Sequence, residues 1–313
     1  MNRRIETARR RRIPVAGGYI ICYHMPSRAT AAGPARTDGS LHAPPPLPVL
    51  FIPGWGGVLR GFEEVVAAVD ENVDLYYLET REKKSSEVSL DSGFSMEQCA
   101  ADVHEAVHAL GFSAGRYVLM GSSFGASVAL QALTALEPLG DGAAPQRRAP
   151  AATVLFEPMA ELWLPRPAVK ALGTLMPVGL VSLLRPVLKR IVLAGMREAV
   201  QRARAELVID NADLRKWRKA ALSLIDWHIL DIAPDTREPV AVIQGSGDRF
   251  HNESVFPEIA EALPAGRLYR LPVPESRREH LMGRIASVYA RGGTAADPST
   301  AADLAPTEPD PQA

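Results

Sequence analysis

Apolar residues fall in two rhythms along this chain. Short continuous apolar runs alternate with longer segments whose apolar positions recur at helical spacing. The runs are Leu47–Gly54, Val73–Thr80, Gly115–Gly121, Ala151–Pro158, the start of Glu238–Asp248, and Gly266–Val273. Between them Val58–Asp70, Ser95–Leu110, Phe124–Leu136, Glu253–Leu263 and Glu279–Ala290 read as helices, and Ser95 is placed to cap its helix. A strand that is apolar throughout is buried on both faces. The alternation therefore predicts an α/β protein with a mostly parallel, doubly wound sheet covered by helices on both sides. Ahead of it, Glu6–Pro14 and Tyr19–Met25 flank Gly17 and Gly18 and predict an antiparallel hairpin.

The alternation stops at Met159 and resumes after Ile232. Within this stretch Leu180, Leu184, Val187, Leu188 and Ile191 share one helical face, Arg197–Glu206 and Ala220–Leu230 read as helices, and Pro165, Pro167, Pro177 and Pro186 cut the chain into short pieces. The segments Ser27–Pro48 and Leu139–Pro150 have loop composition. From residue 292 onward apolar periodicity is lost, and a disordered tail is expected. The expected division is a core of 1–158 and 233–291, a helical insertion of 159–232, and a tail of 292–313.

Composition narrows the class. Of 313 residues, 47% are hydrophobic and 23% charged, and 35 basic residues nearly balance 36 acidic ones. That balance gives no field to attract nucleic acid or an acidic membrane surface. With only 2 cysteines, Cys22 and Cys99, no disulfide framework is possible, and a reducing cytoplasm is expected. The basic run before the first apolar segment resembles the start of a signal peptide. However, Gly17, Gly18, Tyr19, Tyr23 and His24 interrupt the apolar part, which fits a hairpin better. No run approaches the length of a membrane span. The apolar face near residue 184 reads as a docking face, so no membrane contact is expected. The sequence carries no phosphate loop, nucleotide fingerprint or metal cluster, and neither cofactor nor metal is expected.

The candidate chemistry sits at Gly121-Ser122-Ser123-Phe124-Gly125, a G-x-S-x-G pattern between a predicted strand and a predicted helix. Holding a serine hydroxyl clear of a sheet forces its backbone into a strained conformation. The residues two positions away must then be small. Gly121 and Gly125 meet that need, which makes Ser123 the candidate nucleophile. The helix opening at Phe124 aims its first amides at developing negative charge.

With these features, the chain from about Glu6 to Gly292 resembles the α/β-hydrolase superfamily. The resemblance implies the order nucleophile, acid, histidine. It points to Asp248, at the tip of the glycine turn "GSGD", as the acid, with Glu157 at the end of the preceding strand as the alternative. It points to His280, just ahead of the final helix, as the base. Of the 7 histidines, His251 is the rival; His104 and His108, four residues apart on one helix, read as a solvated face. The segment "PESRREH" departs from the family in lacking a glycine near the histidine. The resemblance implies an oxyanion hole formed by the amides of Phe124 and Trp55, with Gly54 and Gly56 shaping the "PGWGG" loop. The proline at the start of that loop replaces the family's usual histidine. The resemblance also makes 159–232 a cap, in which Trp163 and Trp227 are the pocket candidates, with Trp217 and three methionines nearby.

The implied activity is that of a serine hydrolase. It would cleave a carboxylic ester, an apolar small molecule, through an acyl-serine intermediate. Two other functions fit the same residues: transfer of the acyl group to an alcohol or thiol, and a non-catalytic binding module on the same fold. The oligomeric state is not written in the sequence.

Overall fold

The computed structural model describes residues 2–28, 44–134, 148–162, 166–175, 198–245 and 254–302, with scattered positions between 179 and 194. Eight strands form a single sheet: β1 Arg9–Val15, β2 Gly18–Met25, β3 Val49–Ile52, β4 Leu75–Glu79, β5 Val118–Ser122, β6 Ala152–Phe156, β7 Val240–Gln244 and β8 Gly266–Arg270. Their spatial order is β1-β2-β4-β3-β5-β6-β7-β8. The pairs β1–β2 and β2–β4 are antiparallel, and every other pair is parallel.

The helices are α1 Arg3–Glu6, α2 Glu63–Ala68, α3 Met96–Ala109, α4 Phe124–Thr134, α5 Arg166–Leu175, α6 Ala199–Asp210, α7 Leu214–Ser223, α8 Val255–Ala262, α9 Arg278–Gly292 and α10 Ser299–Ala302. Successive residues of β3 serve opposite faces of the sheet. Leu50 and Ile52 join a core that includes Val103 of α3, Leu130 of α4 and Ile259 of α8. Val49 and Phe51 join another that includes Val65 of α2 and Ile285 of α9. Two-sided burial explains why the central strands read as unbroken apolar runs.

Most elements fall where the apolar pattern places them, and the differences have local causes. The first strand starts at Arg9 rather than Glu6, because Asn2 caps a helical turn, α1, by accepting from the Arg4 amide. The helix expected at Ala220–Leu230 runs from Leu214 to Ser223 instead. Asp213 caps it, its side chain accepting from the amides of Arg215 and Lys216. Residues 293–302, expected in the tail, form a 3-10 turn and α10, with Ala301 1% exposed in the core that α9 faces. Residues 303–313 lie outside the described residues. So do the members of the apolar face near 184 other than Val187, which is 52% exposed.

The segment after β4 is the least expected part of the fold. Its charged run "TREKKSSE" turns inward. Arg81 is fully buried and grips Asp102 of α3 through two hydrogen bonds, of 2.8 and 2.6 Å. The side chains of the pair are 0% and 2% exposed. Removing one member of such a pair strands the other charge in a low-dielectric interior. Asp102→Ala is therefore expected to cost about 3–5 kcal/mol of stability. Urea denaturation measures this; a change under about 1 kcal/mol would show that the pair is not buried as described.

Candidate active site

Adjacent strands deliver their carboxyl ends side by side. Gly54 follows β3, Ser123 follows β5, Glu157 follows β6 and Gly245 follows β7. Ser123 has φ +52, a left-handed conformation for a residue with a side chain. Such a conformation costs about 1–3 kcal/mol and persists only where its surroundings enforce it. Here they do. The Ser123 amide donates to Phe156 O at 2.9 Å, and Ser123 O accepts from Met159 N at 3.2 Å. A Cβ on Gly121 would lie 2.3 Å from Gly125 O, and one on Gly125 would lie 2.2 Å from Ile52 O. The turn therefore closes only with glycine at both positions. Ser122 is buried, whereas Ser123 is half-buried at the carboxyl end of the sheet.

The loop after β3 lies against the serine. A Cβ on Gly54 would be 3.4 Å from Ser123 Cβ and 3.9 Å from Ser123 Oγ. The loop turns back at Gly56, which has φ +63, and Gly57 N donates to Gly54 O at 3.0 Å. Among the described residues, no acceptor takes the amide hydrogen of Trp55 or Phe124. Trp55 packs edge-on against Phe124 at 5.1 Å and against Trp217 of α7 at 5.8 Å. The elbow, the glycine loop and a helix N-terminus thus meet around one hydroxyl. This arrangement suits nucleophilic attack with stabilisation of an oxyanion.

Solved structures share this frame. An esterase from Exiguobacterium antarcticum superposes with TM-score 0.62 at 17% identity, over 83% of this chain and 89% of that one. The proline iminopeptidase of Mycobacterium smegmatis gives 0.60 at 15% identity, over 90% and 97%. The bottromycin epimerase BotH gives 0.59 at 19% identity, over 95% and 99%. This is the α/β-hydrolase fold. No family model and no curated protein matches the sequence. At such identities the likeness establishes architecture, and the chemistry has to be argued from the site.

Within this α/β-hydrolase fold, the other residues singled out from the sequence are placed unevenly. His280 is on the first turn of α9, half-buried. Burial lowers its pKa, and Arg284 and Arg277 lower it further. Among the described residues, no hydrogen bond orients its ring. Glu157, the alternative acid, is fully buried, and its φ of +47 is the other positive value among non-glycine residues described. Its Oε1 accepts from Gly245 N at 3.0 Å, and its Oε2 pairs with Arg278. The Glu157 carboxylate is thus engaged by Arg278 and the end of β7. Asp248, the rival His251 and Trp163 lie outside the described residues.

The structure does not bring Trp227 to the elbow. Its Nε1 donates to Gln131 Oε1 at 3.1 Å, and Gln131 lies about 12 Å along α4 from Ser123 at the helical rise per residue. It faces a surface cavity of about 340 Å³ beside Met96 and His228. Trp217 instead packs against the glycine loop, 5.8 Å from the Trp55 ring. Its ring lies so close that a Cβ on Gly56 would be 2.3 Å from it. Trp217 belongs to the helix that the Asp213 cap starts, ahead of the helix expected from Ala220. Also missed were Lys83 and Glu82 behind the glycine loop, because no periodicity marks a buried charge pair. Burial raises the pKa of Cys99 well above the ordinary value and that of Cys22 to about 12, which disfavours the thiolate at both. Among the described residues there is no cluster able to hold a metal and no helix long and apolar enough to cross a membrane.

The close approach at the elbow yields a test. Gly125→Ala would drive a methyl carbon into the Ile52 and Pro53 carbonyls, at 2.2 and 2.5 Å. The expected cost is about 3 kcal/mol, the upper range for overpacking, because backbone rather than a side chain must yield. The urea midpoint should fall accordingly. An unchanged midpoint would show that the elbow has more room than described.

Proposed function

We propose that this protein is a serine hydrolase that cleaves carboxylic esters through an acyl-Ser123 intermediate. The observation that carries the reading is Ser123 itself. It is held at φ +52 between glycines that admit no side chain, against the Gly54 loop and at the start of α4. A fold has little reason to keep that strain unless the hydroxyl has to be presented.

In this reading His280 takes the Ser123 proton as Oγ bonds to the ester carbonyl carbon. The carbonyl oxygen becomes an oxyanion held by the Phe124 and Trp55 amides. Collapse expels the alcohol, which leaves with the proton from His280. Water, deprotonated by the same imidazole, then releases the acid and restores the serine. Asp248 orients the imidazole; the engagement of Glu157 by Arg278 and Gly245 favours this choice over the alternative acid. The helical segment between β6 and β7 serves as the cap. Trp217, Trp55 and Phe124 form an apolar wall suited to an acyl chain or an aromatic group. Both cysteines are buried free thiols, which suits a reducing compartment such as the cytoplasm.

A fluorophosphonate probe should label the protein and spare Ser123→Ala, whose kcat/KM on p-nitrophenyl esters should fall by at least about 10⁴-fold. Wild type that resists the probe while control esterases react would overturn the reading. Proton transfer gives a further expectation. A base whose pKa is lowered stays neutral, and therefore active, further into acid. Because burial, Arg284 and Arg277 all lower the His280 pKa, the acid limb of kcat/KM should lie below the ordinary imidazole value of about 6.5. A limb at or above that value, or one that persists in an active His280→Gln, would remove His280 as the base.

A further inference from the structure

The loop that carries Trp55 is gripped from behind by a buried ion pair. Lys83 Nζ donates to Gly54 O at 2.5 Å and lies 2.7 Å from Glu82 Oε1. Each side chain is 1% exposed. The same Glu82 oxygen accepts from Gly56 N at 3.5 Å. The peptide groups on either side of Trp55 are therefore both turned toward this pair. Described peptide bonds are all trans, and a trans peptide points its C=O and N–H in opposite directions. With Gly54 O aimed at Lys83, the Trp55 N–H of the same peptide is aimed away from it. Ser123 stands against Gly54.

We infer that Lys83, held by Glu82, is a positioning residue for oxyanion stabilisation: it fixes the Gly54–Trp55 peptide so that the Trp55 amide serves the Ser123 site. The inference rests on the roles given above to Ser123 and Trp55. Holding one carbonyl does not require a charge, and burying an ammonium is expensive. An ammonium on the carbonyl side of an amide adds polarisation, because linked hydrogen bonds strengthen one another in a low-dielectric interior. Lys83 is itself held in place. Lys216 of α7 donates to Lys83 O at 3.0 Å, to Ser86 O at 2.5 Å and to Ser86 Oγ at 2.9 Å, and Lys83 makes an antiparallel bridge with Ala212. The helical insertion thereby supports the loop through Lys83.

The test uses the full chain, p-nitrophenyl butyrate, and an alkyl trifluoromethyl ketone, whose hemiketal with the serine carries the oxyanion. Lys83→Met should lower kcat by about 10²-fold, the usual effect of losing one oxyanion donor. KM should stay within about threefold, because the interaction develops only in the transition state. Affinity for the ketone should fall by the same factor as kcat. Lys83→Gln, which keeps a donor without the charge, should fall between. Unchanged kcat in Lys83→Met, or a loss carried by KM with ketone affinity intact, overturns the inference. If the Met variant fails to fold, the Gln variant carries the comparison. If neither folds, Lys83 is a packing element and the inference falls. A wild type that is unlabelled and inactive removes the hydrolase reading, and the inference with it. A labelled, active wild type with an indifferent Lys83→Met removes the inference alone.

Discussion

Two stretches of backbone meet at the carboxyl end of the sheet with no room for a side chain between them. Gly125, in the first turn of α4, lies beneath the carbonyls that end β3, where even a methyl carbon would come within 2.2 Å. That contact draws the strand-to-helix turn tight, forces Ser123 into its left-handed conformation, and sets the Gly54 loop against the hydroxyl. Each of these features depends on the one before. Loosening the contact would let the serine relax into the ordinary helical region and would separate it from the loop amides. The strain is local, and the two-sided core of the central strands balances it.

Around this contact the protein keeps a set of buried charges, which is unusual so close to an apolar core. Arg81 reaches Asp102, Lys83 reaches Glu82 and Gly54, and Lys216 reaches the carbonyls of Lys83 and Ser86. Burial lowers the Lys216 pKa, and the acidic neighbours Asp213, Glu82 and Glu87 oppose that shift. On the other flank, Arg278 and the strained Glu157 tie the start of α9 to the end of β6. Buried charge pairs thus flank the serine on both sides, at the loop after β3 and at the end of β6.

How much of this was legible follows from the range of each interaction. The strands were readable because burial on both faces leaves a continuous apolar signature, and the elbow because its steric constraint is confined to five adjacent residues. The inward turn of "TREKKSSE" was not readable. Its cations are satisfied by Asp102 and Gly54 O and its carbonyls by Lys216, partners scattered from the loop after β3 to α7. The apolar pattern marks a helix from Ala220, whereas the Asp213 cap starts it at Leu214, and Trp217 on that added turn lies against Gly56. Residues 299–302 lack apolar periodicity, yet they form α10 and bury Ala301 in the core beside α9.

The central claim is that the strained serine forms a covalent bond with its substrate. The most direct measurement is to mix the protein with p-nitrophenyl acetate, quench in acid within the first turnover, digest, and map the modified peptide by mass spectrometry. The account predicts one acetyl group, on Ser123, formed together with a burst of p-nitrophenol. An acetyl group on another residue, or turnover with no acylated peptide at any time after mixing, would contradict it.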